Sequence, residues 1–193
     1  MALRDQKKGA LLILAHLGSF EAGRALSEVR DFRLNILGYF RNARMLNEAL
    51  ERLNPEINAR LIDLDPHDIS FVFTVQERIA AGELVATMGD RVGADGKSAT
   101  ARFLGSPARF PTGPYQLAAA LGCPVLLAFG LFSEPNRYDL FCEPFAERIA
   151  LPRQGREQAL GECVQRYAAR LESYCRRAEY NWFNFYHFWE TSE

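Results

Sequence analysis

A chain of 193 residues, 48% hydrophobic and 24% charged, fits one globular domain with a single sizeable core. Its net charge is −1 and its basic residues are scattered rather than bunched, which speaks against nucleic acid as a partner. No apolar run approaches the roughly 20 residues of a membrane-spanning helix. Cys123, Cys142, Cys163 and Cys175 match neither a zinc site nor a redox CxxC pair, and the three histidines are far apart, so no metal site is expected. The thiols are expected to be reduced and partly buried, as in a cytosolic protein.

In chain order, the opening stretch loosely resembles a signal peptide, but its apolar run is only Ala10 to Ala15 and no small-residue cleavage site follows. It reads instead as a strand covered on both faces. A helix is predicted from about Phe20 to Val29, a strand near Arg33 to Phe40, and a helix through Leu46, Leu50 and Leu53 that Asn54-Pro55 stops. A third strand spans Asn58 to Leu64, a helix runs from Asp65-Pro66 towards Ala81, and Leu84 to Met88 is the fourth strand. Asp90 to Gly113 reads mostly as loop with a short strand at Ala101 to Leu104. A helix from Gly113 to Leu121 is capped by Gly122, and Pro124–Phe132 pairs with Arg137–Glu143 as a hairpin. Leu160, Val164, Tyr167, Leu171 and Tyr174 mark the last helix, and the chain ends in an aromatic run from Trp182 to Trp189. Apolar strands alternating with helices predict an α/β fold, with one domain over residues 1–193.

His16 and Glu21 bracket the turn that leaves the first strand, and ligands of α/β sheets bind at the carboxyl ends of strands. Gly18 and Ser19 allow a tight turn, so Glu21 can fold back, accept one imidazole N–H and raise the basicity of the other nitrogen. That nitrogen could then deprotonate a hydroxyl. Taken alone, the spacing is common by chance, and a strand-end histidine is more often simply hydrogen-bonded. Arg41 and Arg91 follow the second and fourth strands and could hold phosphate or carboxylate there. The alternative is a surface salt bridge, with Asp90 an obvious partner for Arg91. No Ser or Cys stands in a nucleophile elbow, since Ser19 lacks the following glycine. Neither phosphate-loop pattern occurs, and Gly93-Ala94-Asp95-Gly96-Lys97 reads as an exposed turn. The aromatic run at the C-terminus either packs on the sheet or forms an acyl- or membrane-facing wall.

Taken together and in order, these blocks resemble the glycerolipid acyltransferases, and most closely their lipid A biosynthesis branch. His16-Leu17-Gly18-Ser19-Phe20-Glu21 resembles that family's histidine–acid motif, with Glu where Asp is more common. Tyr39-Phe40-Arg41 resembles its second block, and Gly89-Asp90-Arg91 is a partial match to its third. Phe110-Pro111-Thr112-Gly113 through Gly122-Cys123-Pro124-Val125 is similar to its helix and the proline-opened strand that follows. Arg102-Phe103-Leu104-Gly105 points to the lipid A branch.

The resemblance implies a mostly parallel central sheet flanked by helices. It also implies catalysis by His16 and Glu21, with Gly18, Ser19, Arg41, Asp90, Arg91, Thr112 and Gly113 binding substrate. The reaction implied is acyl transfer from acyl carrier protein or coenzyme A to a hydroxyl on a lipid, with no further cofactor. Backbone N–H groups near Gly18 and Ser19, or an arginine, would stabilise the oxyanion. The setting is cytoplasmic, with peripheral contact to the inner membrane. The resembled enzymes carry a longer N-terminal segment with a membrane anchor, so the chain is expected to be an anchorless relative or a piece of a larger protein. A thioesterase and a non-catalytic acyl-binding module are the competing functions.

Overall fold

In the computed structural model of the chain, residues 8–19, 33–40, 60–65, 67–93 and 96–189 are described. The apolar run Ala10–Leu14 forms strand β1 and is buried at every position. It has a parallel neighbour on each side, β4 (Leu84–Met88) and β7 (Val125–Ser133). Its side chains alternate between two apolar layers: Leu11 and Ile13 enter the main core, while Leu12 and Leu14 join Leu34 and Ala86 on the other face. This explains a run with no polar alternation.

Strands β2 (Leu34–Gly38), shorter than predicted, and β3 (Leu61–Asp63) extend the sheet beyond β4. Strand β8 (Arg137–Ala146) closes the other edge as an antiparallel hairpin on β7, giving the order β3-β2-β4-β1-β7-β8. The fold is thus α/β with a mostly parallel six-stranded sheet, as expected.

Helix α1 (Ser70–Ala80), helix α2 (Gly113–Leu121) and helix α3 (Arg156–Cys175) pack on one face, through Val75, through Tyr115 and Ala118, and through the Leu160-to-Tyr174 stripe. Helix α1 starts later than Asp65-Pro66 because Asp65 and Asp68 turn the chain first: Asp65 accepts the His67 N–H, and Asp68 accepts the N–H and hydroxyl of Ser70. Helix α2 has the predicted bounds, and Gly122 ends it in the left-handed conformation (φ 61°). The helices expected around Phe20–Val29 and through Leu46, Leu50 and Leu53 lie outside the described residues, as does the start of the third predicted strand.

One expectation is corrected. The stretch after Asp90 is not mostly loop but holds a β-hairpin, β5 (Ser98–Phe103) with β6 (Ser106–Pro111). Its period-two pattern puts Ala101, Phe103, Ala108 and Phe110 into the core while Arg102 and Arg109 face outward. The connecting Leu104 and Gly105 both adopt positive φ (49° and 91°), as a two-residue primed turn requires. The Gly, Ser, Pro and Arg content masked that alternation.

Candidate active site

Strand register builds the centre of the site. Leu14 of β1 lies opposite Met88 of β4, so two further residues on each parallel strand bring His16 beside Asp90. The imidazole Nδ1 stands 2.8 Å from Asp90 Oδ1, and the backbone N–H of His16 donates to Asp90 Oδ2 at 2.9 Å. A third donor, the indole Nε1–H of Trp182, reaches Oδ2 at 3.1 Å. The Asp90 side chain is only 1% exposed, whereas the His16 side chain is 29% exposed. In the neutral imidazole, a carboxylate accepting at Nδ1 requires the proton there and leaves the Nε2 lone pair pointing away from Asp90.

Close packing holds this pair at its height. A Cβ on Gly89 would come within 2.5 Å of the Ile13 side chain and 2.9 Å of the Tyr167 ring, so only glycine lets β4 pass there. The Gly89 N–H and the Tyr167 hydroxyl both donate to the Leu14 carbonyl, at 2.9 and 2.7 Å. Burial raises the Tyr167 phenol well above its usual range, which keeps it a proton donor.

The C-terminal segment wraps the histidine turn. Leu17 bridges Trp182, the Phe183 N–H donates to the His16 carbonyl at 2.8 Å, and the Gly18 N–H donates to the Asn181 carbonyl at 2.7 Å. Asn181 Oδ1 in turn accepts the Phe132 N–H of β7 at 2.6 Å. Gly18 sits at φ 66° with its Cα face against the Gly130 carbonyl, where a Cβ would lie 1.5 Å from the oxygen.

The contacts place the other expected site residues as follows. The Gly18 and Ser19 N–H groups expected in an oxyanion site already donate, to Asn181 and to Gly130 (3.1 Å) respectively. Asp90, expected to bind substrate or pair with Arg91, is buried behind the imidazole with three N–H groups on its oxygens. Arg91 instead donates to the Phe183 carbonyl at 2.8 Å and stands 6.0 Å from the Tyr186 ring centroid. Thr112 is buried at the start of α2, its hydroxyl accepting from Gln116 at 3.0 Å, and Gly113 opens the helix beside it. Nothing in these contacts ties either to His16. Glu21 and Arg41 lie outside the described residues. The sequence placed Trp182 in the C-terminal aromatic run but gave it no link to the histidine; it lies 92 positions from Asp90 and enters the site only through the chain's return.

Next to the turn, an apolar cavity of about 160 Å³ opens on the second face of the sheet. Ala15, Leu17 and Ser19, the neighbours of His16 in the chain, form its near wall; Leu12, Leu14, Leu34, Phe129, Leu140 and Phe141 continue it. The four cysteines are free. Burial pushes the thiols of Cys123 and Cys163 up and that of Cys175 to about 12, so these are poor nucleophiles. Among the described residues no cluster of three or more His, Cys, Asp or Glu side chains could hold a metal ion, and no helix is long and apolar enough to cross a membrane.

A histidine–carboxylate pair at the carboxyl edge of a mostly parallel sheet, beside an apolar cavity, has the parts of a proton-transfer site for acyl chemistry. Residues 1–191 match the family profile of the bacterial lipid A biosynthesis acyltransferases, and the chain belongs to that family. It is therefore a member of an acyltransferase family whose acceptors are lipids. No curated relative matches the chain.

Proposed function

We propose that the chain transfers a fatty acyl group from a thioester, on acyl carrier protein or coenzyme A, to a lipid hydroxyl, with His16 as general base. The observation that carries this is the 2.8 Å contact of His16 Nδ1 with buried Asp90, which leaves Nε2 as the basic nitrogen on a partly exposed ring. Nε2 takes the acceptor's hydroxyl proton as the oxygen forms a bond to the thioester carbonyl carbon. The tetrahedral oxyanion collapses, the C–S bond breaks, and the imidazolium returns its proton to the departing thiolate. The raised thiols and the missing nucleophile elbow favour direct attack over an acyl-enzyme. No cofactor beyond the thioester is needed.

With the Gly18 and Ser19 N–H groups occupied, Arg91 is the candidate cation for the oxyanion or for an anionic group on the substrate. Arg41 is retained as a second candidate for an anionic group, and Thr112 and Gly113 as substrate contacts, on the family resemblance alone. The acyl chain would lie in the apolar cavity, at about 0.8 kcal/mol per buried methylene.

Mass spectrometry of products from a panel of acyl-carrier-protein and acyl-coenzyme A thioesters, offered with lipid A precursors and lysophospholipids, tests this function. An acylated lipid is the expected product. Free fatty acid alone would make the chain a thioesterase, and binding without turnover would make it an acyl-binding module.

For Arg91, the Ala variant should raise the Michaelis constant more than it lowers turnover, because an anion-binding contact is shared by ground and transition states. Arg91→Lys should recover only part of the loss, since a point charge cannot reproduce a bidentate guanidinium. Steady-state kinetics unchanged in both variants would return Arg91 to holding the Phe183 carbonyl.

Membrane contact belongs to the same proposal, on the cytoplasmic side of the inner membrane. The eight large hydrophobic residues exposed among the described residues all lie towards the carboxyl edge of the sheet. Tyr39 follows β2, Ile69 and Phe73 begin α1, Tyr138 adjoins the β7–β8 turn, and Tyr180, Phe183, Phe185 and Tyr186 lie on the C-terminal segment. Tyrosine and phenylalanine around the mouth of the site suit a bilayer interface. The two tryptophans face the other way: Trp182 and Trp189 pack with Phe103 and Phe188. The double change Phe183→Ser and Phe185→Ser should therefore weaken reversible binding to phosphatidylethanolamine–phosphatidylglycerol vesicles in a flotation assay. Binding equal to that of the parent chain would assign these rings to another role.

A further inference from the structure

We infer that Trp182 is a positioning residue for His16, acting through Asp90; the inference rests on the reading of His16 as the general base. Asp90 Oδ1 faces the imidazole, and Oδ2 is held by the His16 backbone N–H and the Trp182 indole N–H. The backbone bond alone fixes one donor direction on Oδ2. The indole supplies a second, so the carboxylate plane is set before any substrate arrives.

Trp182 is well suited to this. Its ring meets Phe103 edge-on at 5.1 Å and Phe188 at 4.8 Å, while its backbone pairs with Leu17, the residue after His16. The side chain that orients the carboxylate is thus carried by the same short bridge that carries the histidine. Any drift of the C-terminal segment would move both together. The pre-set geometry matters in the transition state, when the imidazole gains charge and its bond to Asp90 strengthens.

Trp189 provides the internal control. It stands 6.0 Å from Trp182 in the same aromatic cluster, and its indole N–H is also bonded, but to the Phe103 carbonyl at 3.2 Å. Both tryptophans pack and both donate; only Trp182 donates to the carboxylate behind the histidine. A role in packing alone predicts similar consequences for losing either N–H.

Trp182→Phe and Trp189→Phe, measured in the full chain with dodecanoyl thioesters and a lipid A precursor, separate the two roles. Trp182→Phe should lower kcat by about 10- to 100-fold, the scale of a hydrogen bond to a charged group. KM should stay within about twofold, because no substrate contact is lost. Trp189→Phe should keep the parent kcat. In an Asp90→Asn background Trp182→Phe should cost nothing more, since its path to His16 is already broken. Should Trp182→Phe fail to fold, benzothienylalanine at position 182, isosteric but without the N–H, makes the same comparison.

Equal kcat in the Trp182 and Trp189 variants, or an undiminished Trp182→Phe effect in the Asp90→Asn background, would overturn the inference. If His16→Ala is inactive while Trp182→Phe is unimpaired, only the positioning role falls. If His16→Ala turns over normally, the base itself is misassigned and the positioning role falls with it.

Discussion

Replacing His16 by alanine should lower acyl transfer by about 10²- to 10⁴-fold while leaving the fold in place. Nε2 is the nitrogen that would receive the acceptor's proton, with Asp90 orienting the ring from Nδ1. The fold should survive because the ring is partly exposed and its removal still leaves Asp90 two donors, the position-16 backbone N–H and the Trp182 indole. Circular dichroism melting with the thioester panel checks both halves. A well-folded variant with near-parent turnover would end the general-base mechanism.

Asp90→Asn should be nearly as damaging, losing up to about 10⁴-fold in kcat. An amide offers one oxygen where the carboxylate offers two, and its NH₂ must point either at Nδ1 or at the two N–H donors on the other side. If the NH₂ faces the imidazole, Nδ1 becomes the acceptor and the proton moves to Nε2, the wrong tautomer for a base. If it faces the other way, the His16 backbone and Trp182 lose their partner in a buried place, at about 1–3 kcal/mol of stability. Glu21→Gln should cost less, because the carboxylate found on Nδ1 is Asp90. Glu21 itself lies outside the described residues, so the comparison of the two variants is informative in both directions. A larger loss from Glu21→Gln than from Asp90→Asn would give Glu21 the orienting role expected from the histidine–acid spacing. Asp90 would then serve chiefly to hold the turn.

The amino-acid sequence by itself determined a good deal, and local periodicity is the reason. The bounds of β4 and α2 follow from apolar runs and from the glycine that ends α2, because each signal sits within a few residues of the structure it specifies. The stripe from Leu160 to Tyr174 likewise fixes the buried face of α3. His16 stood out as a candidate because its motif lies on one turn. The hairpin at β5 and β6 was locally encoded too, in the alternation of Ala101, Phe103, Ala108 and Phe110, but turn-forming residues among them hid it.

What only the tertiary structure decided is which carboxylate meets the histidine. Local pattern places His16 and Asp90 each just past a strand end, yet it says nothing about which strands are neighbours. That order comes from crossover connections and from packing between segments more than 70 residues apart. Once β1 lies beside β4 in the Leu14–Met88 register, the His16–Asp90 contact follows almost of necessity. The same holds for Trp182, whose indole reaches Asp90 only because the chain returns from α3 across the histidine turn. An aromatic run in sequence shows that rings will be buried or displayed. Which of them is aimed at a buried carboxylate depends on long-range backbone pairing, which no local period records.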